Sequence, residues 1–175
     1  MVADFSHASY VGLHGEAGLR YRGQRESVVM TSLKLLALDA EDLAVISAHI
    51  QDSVFKAGDI SYSPRARQLS LVVNRFAWES LAEKGRTYER HRAALTFKRV
   101  SAVRSLGFDR NDKDQVLSLL AVRFQQKDEG PEGTVELVLS GTGTIALDVE
   151  CIEVQLADVG GAWETERKPR HPVGE

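Results

Sequence analysis

The sequence predicts a single α+β domain, built as a mostly antiparallel sheet of about seven strands with two helices. Three observations support this prediction. Short apolar runs recur along the chain, and several alternate apolar with polar residues, which is typical of antiparallel strands that bury one face. Turn-forming Gly and Pro residues separate several of these runs. One segment, residues 33–52, changes from a strand pattern to a helical pattern, so a helix must pack against the sheet.

Size and composition fit one globular domain. The chain has 175 residues, of which 43% are hydrophobic and 27% charged. A net charge of -3 argues against wholesale attraction to nucleic acid or membranes. The single cysteine, Cys151, excludes an internal disulfide. Because no apolar run is long enough for a membrane span or a signal peptide, we expect a cytoplasmic protein.

The domain is expected to span residues 30–163. Residues 1–29 show no sustained period and are predicted to be a disordered leader. Met30 stands directly before the patterned sequence, so this residue is also a candidate for the true start, with the leader an over-extended reading frame. Residues 164–175 are polar and are predicted to form a C-terminal tail.

The first elements follow from residues 33–52. An apolar run over residues 33–38 predicts a strand. Asp39 can then cap a helix whose first turn carries Glu41 and Asp42, since acids are favoured at a helix N-terminus. The helix presents one apolar stripe. The stripe consists of Leu43, Ile46, Ile50 and Val54.

Six more strands are expected along the chain. Two hairpins are predicted, one around residues 63–67 and one around residues 141–143. A third long strand is expected to bend near Arg99. The most continuously apolar run, residues 116–124, is the candidate for the centre of the sheet. The six segments are 54–63, 68–78, 91–106, 116–124, 134–140 and 144–149.

The second helix is predicted near the C-terminus. Ile152, Leu156 and Val159 have helical spacing, and Gly160 would end the helix. Trp163 is then expected to fold back onto the core.

Two pairs of short segments resemble each other within the chain. Residues 36–41 resemble residues 145–150. Residues 69–76 and residues 117–124 share Leu-Ser-Leu and, at the same spacing, Arg-Phe. The pairs do not follow one fixed offset, so a permuted duplication and chance both remain open.

Several segments together resemble a known family. They are MTSLKLLALDAEDLAVISAHIQD, LVVNRFAWE, VLSLLAVRF, GTIALDVECIEVQLADVGGAW and PRHP. The chain from Met30 to Pro172 resembles a bacterial family of uncharacterised proteins, domain of unknown function 2948. The resemblance implies a small cytoplasmic protein that starts at Met30. It implies no activity and no catalytic residue, because none is assigned to the family.

Charge is distributed unevenly along the chain. Residues 84–104 carry seven Lys or Arg against one acid, a net +6, whereas residues 105–175 carry seven basic and fourteen acidic residues. One interpretation is a basic face for an acidic partner, phosphate or nucleic acid. The other is that these side chains face water and are offset by Glu136, Asp148 and Glu150, within the fold or across a dimer. The candidate binding residues are Arg75, Arg86, Arg90, Arg92 and Arg99.

Individual polar residues have competing interpretations. Arg75 could face a ligand or an interface, or its stem could lie over an aromatic ring as the strand leaves the core. Cys151 lies between Glu150 and Glu153, which would raise the thiol pKa, so a buried and inert cysteine is favoured. The histidines have no metal-ligand spacing, and we expect neither a metal nor a cofactor.

These observations favour a non-enzymatic cytoplasmic module, although they leave enzymatic activity open. The expected partner is a second copy in a homodimer, or another protein, at a sheet edge or at residues 84–104. Nucleic acid is less favoured, and a membrane is not expected. The alternative is a small enzyme or binding domain for an anionic metabolite. A concave pocket that joins Arg75 or Arg92 to an acidic residue would favour this alternative.

Overall fold

One antiparallel sheet of ten strands is the framework of the computed structural model, which describes residues 32–77 and 88–165. The strand order is β1-β10-β5-β4-β2-β7-β8-β9-β6, and β3 pairs with β4 off this path. The strands are β1 (Lys34–Ala37), β2 (Ser53–Lys56), β3 (Ile60–Ser63), β4 (Gln68–Phe76), β5 (Tyr88–Phe97), β6 (Val100–Leu106), β7 (Val116–Gln126), β8 (Gly133–Leu139), β9 (Thr144–Val149) and β10 (Val154–Thr165).

Within the described residues there is one α-helix, α1 (Ala40–Ile50), and one 3₁₀ turn, Ala57–Asp59. The helix begins where the sequence predicts it, because the Asp39 carboxylate accepts a hydrogen bond from the Asp42 N–H at 2.8 Å. Its buried face carries Leu43, Ile46 and Ile50. The helix therefore covers the core with three residues of the predicted stripe, whereas the fourth, Val54, lies in β2.

The predicted numbers of strands and helices were wrong. Two expected strands are each divided in the structure. The segment 54–63 is interrupted by the 3₁₀ turn, and the segment 91–106 is interrupted at Arg99, which has a φ of 60°. A third difference is that the segment predicted as the second helix is strand β10. These three changes raise the count from about seven strands to ten and leave one α-helix in the described part of the chain.

Strand β10 shows why helical spacing was misleading. Val154 and Leu156 are buried and alternate with exposed or half-exposed neighbours, as in a strand. The strand pairs with β1 on one side and with β5 on the other. Val159, which would have completed the helical stripe, is exposed. It begins a bulge, residues 159–161, that disturbs the period-two pattern in the sequence.

The sheet curls on itself through a corner at Arg99. The Glu150 N–H donates to the Arg99 carbonyl at 3.1 Å, and the Lys98 N–H donates to the Glu153 carbonyl at 2.9 Å. The chain passes from β5 to β6 at this corner, and from β9 to β10 beside it. The two hydrogen bonds join these two connections. Beyond the corner, the Val100 N–H donates to the carbonyl of Arg67, which precedes β4. This corner brings β6 back toward β3 and β4, although β6 ends the strand order.

The core lies inside the curl and is formed by alternate residues of the strands. In β4 these are Leu69, Leu71 and Val73, each with 0% exposure. The predicted hairpin of β8 and β9 repeats the pattern, and their inward side chains are also buried. The outward residues of the same strands are half-exposed. Any site on the outer surface is therefore held by side chains that alternate with core residues.

The similar segments of β4 and β7 differ in structure, because β7 contains a bulge. The pairing of β7 with β8 shifts between Leu119 and Ala121. After the shift, Val122 is buried and Arg123 is exposed. Arg75, the corresponding arginine of β4, is buried. A one-residue shift thus sends two similarly placed arginines to opposite faces of the sheet.

Candidate binding groove and buried ion pair

A groove of about 380 Å³ opens on the outer surface where β2 diverges from β4. It is lined by residues from four strands and from the 3₁₀ turn. Its residues are Val54, Phe55 and Lys56 of β2, Asp59 of the turn, Val72 and Asn74 of β4, Arg92 of β5, and Val116 of β7.

Strand register explains how the central groove residues meet. Asn74 is directly opposite Val54 on one side and Arg92 on the other. The three side chains therefore form one row across β2, β4 and β5. Their neighbours Val73 and Ala93 are fully buried on the inner face, so the row is fixed on the outer face. The alternation of buried and outward residues along these three strands therefore fixes the position of this row.

The groove contains both signs of charge. The Lys56 ammonium contacts the exposed Asp114 carboxylate at 2.9 Å, and this hydrogen bond raises the pKa of Lys56 above 10.5. The Asp59 carboxylate accepts the Lys56 N–H at 2.9 Å. The Arg92 side chain is exposed, and within the described residues its guanidinium has neither a hydrogen-bond nor an ion-pair partner. Arg92 is thus the cation available to a ligand.

The bulge of β10 lies beside Arg92. Asp158 is opposite Ala93 and Ala162 is opposite His91, so residues 159–161 fall across from Arg92. A Cβ atom at Gly160 would lie 3.3 Å from the Arg92 Cβ, which is a tight contact. A glycine here leaves room for the arginine stem.

On the inner face, Arg75 and Asp158 form a buried ion pair. The Arg75 Nε and Nη2 atoms donate to the two Asp158 carboxylate oxygens at 2.8 and 2.9 Å. The Leu33 N–H donates to the same carboxylate at 3.0 Å, which ties β1 to the pair. Burial raises the pKa of Asp158, but the hydrogen bonds from Arg75 and Leu33 outweigh burial, and the pKa lies below its ordinary value.

His91 extends this buried cluster. Its Nδ1 atom is 3.4 Å from Asp158 Oδ2, and its Nε2 atom is 3.7 Å from Glu89 Oε2. Arg75 and His91 are directly opposite in the β4–β5 pairing. The cluster thus links β4, β5 and β10 beneath the outer row that contains Arg92.

The structure separates the sequence-predicted binding residues. Arg75 is buried and forms an ion pair with Asp158. The Arg90 guanidinium lies over an aromatic ring, 5.9 Å from the centre of Phe76. Burial lowers the pKa of Arg90, while the charge of Asp52 acts in the opposite direction.

The other candidate residues are also dispersed. Arg92 alone lies in the groove. Arg99 is exposed at the sheet corner, and its Nε atom is 3.3 Å from Glu153. Arg86 lies outside the described residues. The five arginines therefore do not form one site in the described part of the chain.

Acidic side chains of the same domain neutralise much of the basic segment. Lys98 and Arg99 both contact Glu153. Arg104 donates to both carboxylate oxygens of Asp148, at 2.9 and 2.6 Å. Of the acids named from the sequence as offsetting these charges, Asp148 contacts this segment, whereas Glu150 contacts Arg67 and Glu153 was not among those named.

Two further expectations concern chemistry. Cys151 is partly exposed, so the expectation that it is buried was wrong. It is a free thiol. Among the described residues, the structure has no cluster of His, Cys, Asp or Glu that could hold a metal ion. No helix of the described part is long and apolar enough to cross a membrane.

Sequence reasoning missed Asp158 and most of the groove. Asp158 follows Val154 and Leu156 at period two, which places an acid on the buried side of a strand. A buried acid needs a cation, so this pattern could have indicated a partner for Arg75. Lys56 and Val116 come from separate strands, and no local pattern connects them with Arg92.

The fold and site define a small domain whose curled antiparallel sheet carries helix α1, the Arg75–Asp158 ion pair and an outer groove. The chain belongs to the family described as Protein of unknown function (DUF2948), whose profile matches residues 33–171. The resemblance noted from the sequence is thereby confirmed, and the family description assigns no activity. Comparisons with curated proteins and with solved structures gave no match.

Proposed function

We propose that this protein is a non-catalytic cytoplasmic module that binds an anionic partner in the groove at Arg92. The observation that carries this proposal is the groove itself, in which the Arg92 guanidinium lies beside a carboxamide and several valines. Its volume of about 380 Å³ falls in the range of small-molecule sites, roughly 300–1,000 Å³. The groove also joins Arg92 to an acid, Asp59. A concave pocket of this kind is the feature that would favour a binding domain for an anionic metabolite.

The groove residues are suited to binding. A guanidinium presents a planar set of donors that can contact two oxygens of one anion. The lining includes no histidine, cysteine, serine or threonine. Its carboxylate, Asp59, already accepts the Lys56 N–H. The free thiol of Cys151 suits a reducing compartment such as the cytoplasm.

The broad basic face is the weaker candidate for this role. Lys98, Arg99 and Arg104 already contact acids of the same domain. A partner would have to compete with those acids for each cation. At Arg92, a partner would not have to displace an acid of the described residues, which favours the groove.

The proposal is tested by NMR titration of isotopically labelled protein with sodium phosphate and sodium hexanoate at constant ionic strength. We expect at least one anion to shift the side-chain signals of Asn74 and Arg92. The Arg92→Ala variant should lose these shifts. Arg123→Ala removes another exposed strand arginine and serves as the matched control, which should retain binding. Unchanged Asn74 and Arg92 signals with both anions would refute the proposal.

A second candidate function is self-association, as predicted from the sequence. The outer face of β10, β5 and β4 carries two uncharged rows, and a second copy could pack there without bringing like charges together. The rows are Ala157, Ala94 and Val72, and Gln155, Thr96 and Ser70.

Native mass spectrometry tests this second proposal. We expect the wild-type protein to be a dimer and Ala94→Glu to be a monomer, because the substitution places a charge in the centre of the uncharged face. Ala146→Glu introduces the same change on the outer face of β9 and should remain a dimer. A monomeric wild-type protein, or a dimeric Ala94→Glu variant, would count against self-association through this face.

A further inference from the structure

The charge and shape of the groove define a narrower class of ligand. We infer that the groove binds a carboxylate joined to an apolar group, with Arg92 and Asn74 on the carboxylate and the valines on the apolar group. This inference rests on the proposed function and adds the chemistry of the partner.

The first argument is the charge of the groove. Lys56 and Arg92 contribute +2 and Asp59 contributes -1, so the lining carries a net +1. Asp114, outside the lining, already contacts Lys56. A phosphate monoester has a charge of about -1.5 to -2 at neutral pH, and Asp59 would repel its excess charge. Because Asp114 already neutralises Lys56, Arg92 is the groove cation left for a ligand, and a carboxylate with a single charge matches it.

The second argument is the placement of hydrogen-bond donors. Asn74 and Arg92 are directly opposite on neighbouring strands, so their Cβ atoms are about 4.5–5.5 Å apart. Within the described residues, the Asn74 carboxamide makes no hydrogen bond, although its backbone carbonyl accepts from Arg90. Guanidinium and carboxamide donors can therefore approach the two oxygens of one carboxylate.

The third argument is the apolar part of the lining. Val54 and Val72 are half-buried, and Val116 is 66% exposed. These side chains come from β2, β4 and β7, and all of them line the groove with Arg92. An apolar group on the ligand would remove their surface from water. A bare inorganic anion would leave it exposed.

Two sources could supply this chemistry. One is a free carboxylic acid with a short branched chain. The other is the C-terminal residue of a peptide, if that residue has an apolar side chain. Both present one carboxylate next to an apolar group, and they differ in the amide that a peptide carries.

The test is a titration followed by NMR at pH 7.5 and constant ionic strength. The probes are 4-methylpentanoate, N-acetyl-leucine, N-acetyl-leucinamide and butyl phosphate. We expect both carboxylates to bind at least tenfold more tightly than the neutral amide and butyl phosphate. Tighter binding of 4-methylpentanoate would indicate the free acid as the source, and tighter binding of N-acetyl-leucine would indicate a peptide terminus.

Variants connect the selectivity with the groove. Arg92→Ala should weaken carboxylate binding at least tenfold, whereas Arg123→Ala should leave it unchanged. Asp59→Asn keeps an acceptor for the Lys56 N–H but removes the repelling charge, so it should improve butyl phosphate binding relative to carboxylate.

The outcomes distinguish this inference from the proposed function. Tighter binding of butyl phosphate than of the carboxylates, lost in Arg92→Ala, would overturn the inference and leave the anion-binding groove intact. Equal binding of N-acetyl-leucine and its amide would also overturn it. Carboxylate binding that persists in Arg92→Ala, or no anion binding at all, would overturn both.

Discussion

Arg75 and Asp158 fasten β4 to β10 across the intervening strand β5. Their side chains are 1% and 3% exposed, and two hydrogen bonds of 2.8 and 2.9 Å connect them. Removing one partner of such a pair leaves a charge buried without its counterion. The pair is therefore a point where a single substitution has a large effect.

We expect Arg75→Ala to lower the free energy of unfolding by about 3–5 kcal/mol, because the Asp158 carboxylate would lose its counterion. Urea denaturation measures this loss. Arg104→Ala also removes an arginine paired with an aspartate, but that pair is largely exposed and should contribute less than about 1 kcal/mol. Similar losses in the two variants would contradict the interpretation of Arg75 as the buried counterion.

Asp158 makes stability depend on acid pH. Its pKa in the folded protein lies below 3.8, since the hydrogen bonds from Arg75 and Leu33 outweigh the effect of burial. Above about pH 5, Asp158 is ionised in both states and its contribution to stability is complete. As the pH falls further, the unfolded chain takes up the proton first, and the contribution is lost as the pH passes through the folded-state pKa.

We therefore expect the difference in unfolding free energy between wild type and Asp158→Asn to be largest above pH 5 and to shrink toward pH 3. Urea denaturation at several pH values measures this difference. A constant difference across the range would show that Asp158 titrates alike in the folded and unfolded protein.

Gly133 at the start of β8 has no room for a side chain. An added Cβ would lie 2.3 Å from the Gln125 carbonyl oxygen and 2.5 Å from the Phe124 ring. We expect Gly133→Ala to destabilise the protein by about 3 kcal/mol through overpacking. Gly141 has a positive φ of 76° but open space, so Gly141→Ala should have a smaller effect, about 1 kcal/mol. Thermal unfolding compares the two, and equal effects would disprove the steric argument.

Ser47 supports the bulged part of β7. Its hydroxyl accepts the Val122 N–H at 2.9 Å, just after the shift in pairing. We expect Ser47→Ala to lower the free energy of unfolding by about 1–3 kcal/mol, because the N–H would lose its acceptor. Ser101→Ala removes an exposed hydroxyl that donates to the Asp148 carbonyl and serves as the control. Denaturation should show little change for Ser101→Ala, and an equal loss would argue against a specific role of Ser47.

Local patterns in the sequence were sufficient for some elements. Helix α1 was predicted because Asp39 caps it and its apolar residues have one period over eleven residues. The hairpin of β8 and β9 was predicted from clean alternation on both sides of a glycine-containing turn. In these segments, neighbours in the sequence are also neighbours in space.

Other features depend on residues that are distant in the sequence. A bend near Arg99 was predicted, but not the positive φ at Arg99 that divides the segment into two strands. In β10, apolar residues at helical spacing suggested a helix. The apolar–polar alternation that indicates a strand is short, because the bulge interrupts it. Arg92 was identified as a candidate, but its groove partners come from separate strands. Asp158 was missed because its partner, Arg75, lies on a different strand.

Strand β10 also determines when the fold can be completed during synthesis. It lies between β1 and β5, although it is the last described strand to leave the ribosome. The β8–β9 hairpin can form from adjacent sequence, whereas β1 has no strand to pair with until β10 emerges. Until then, a nascent chain exposes the apolar face of β5 and its unpaired edge. Folding of this half therefore waits for β10, and a chain that lacks β10 exposes surface that is prone to aggregation.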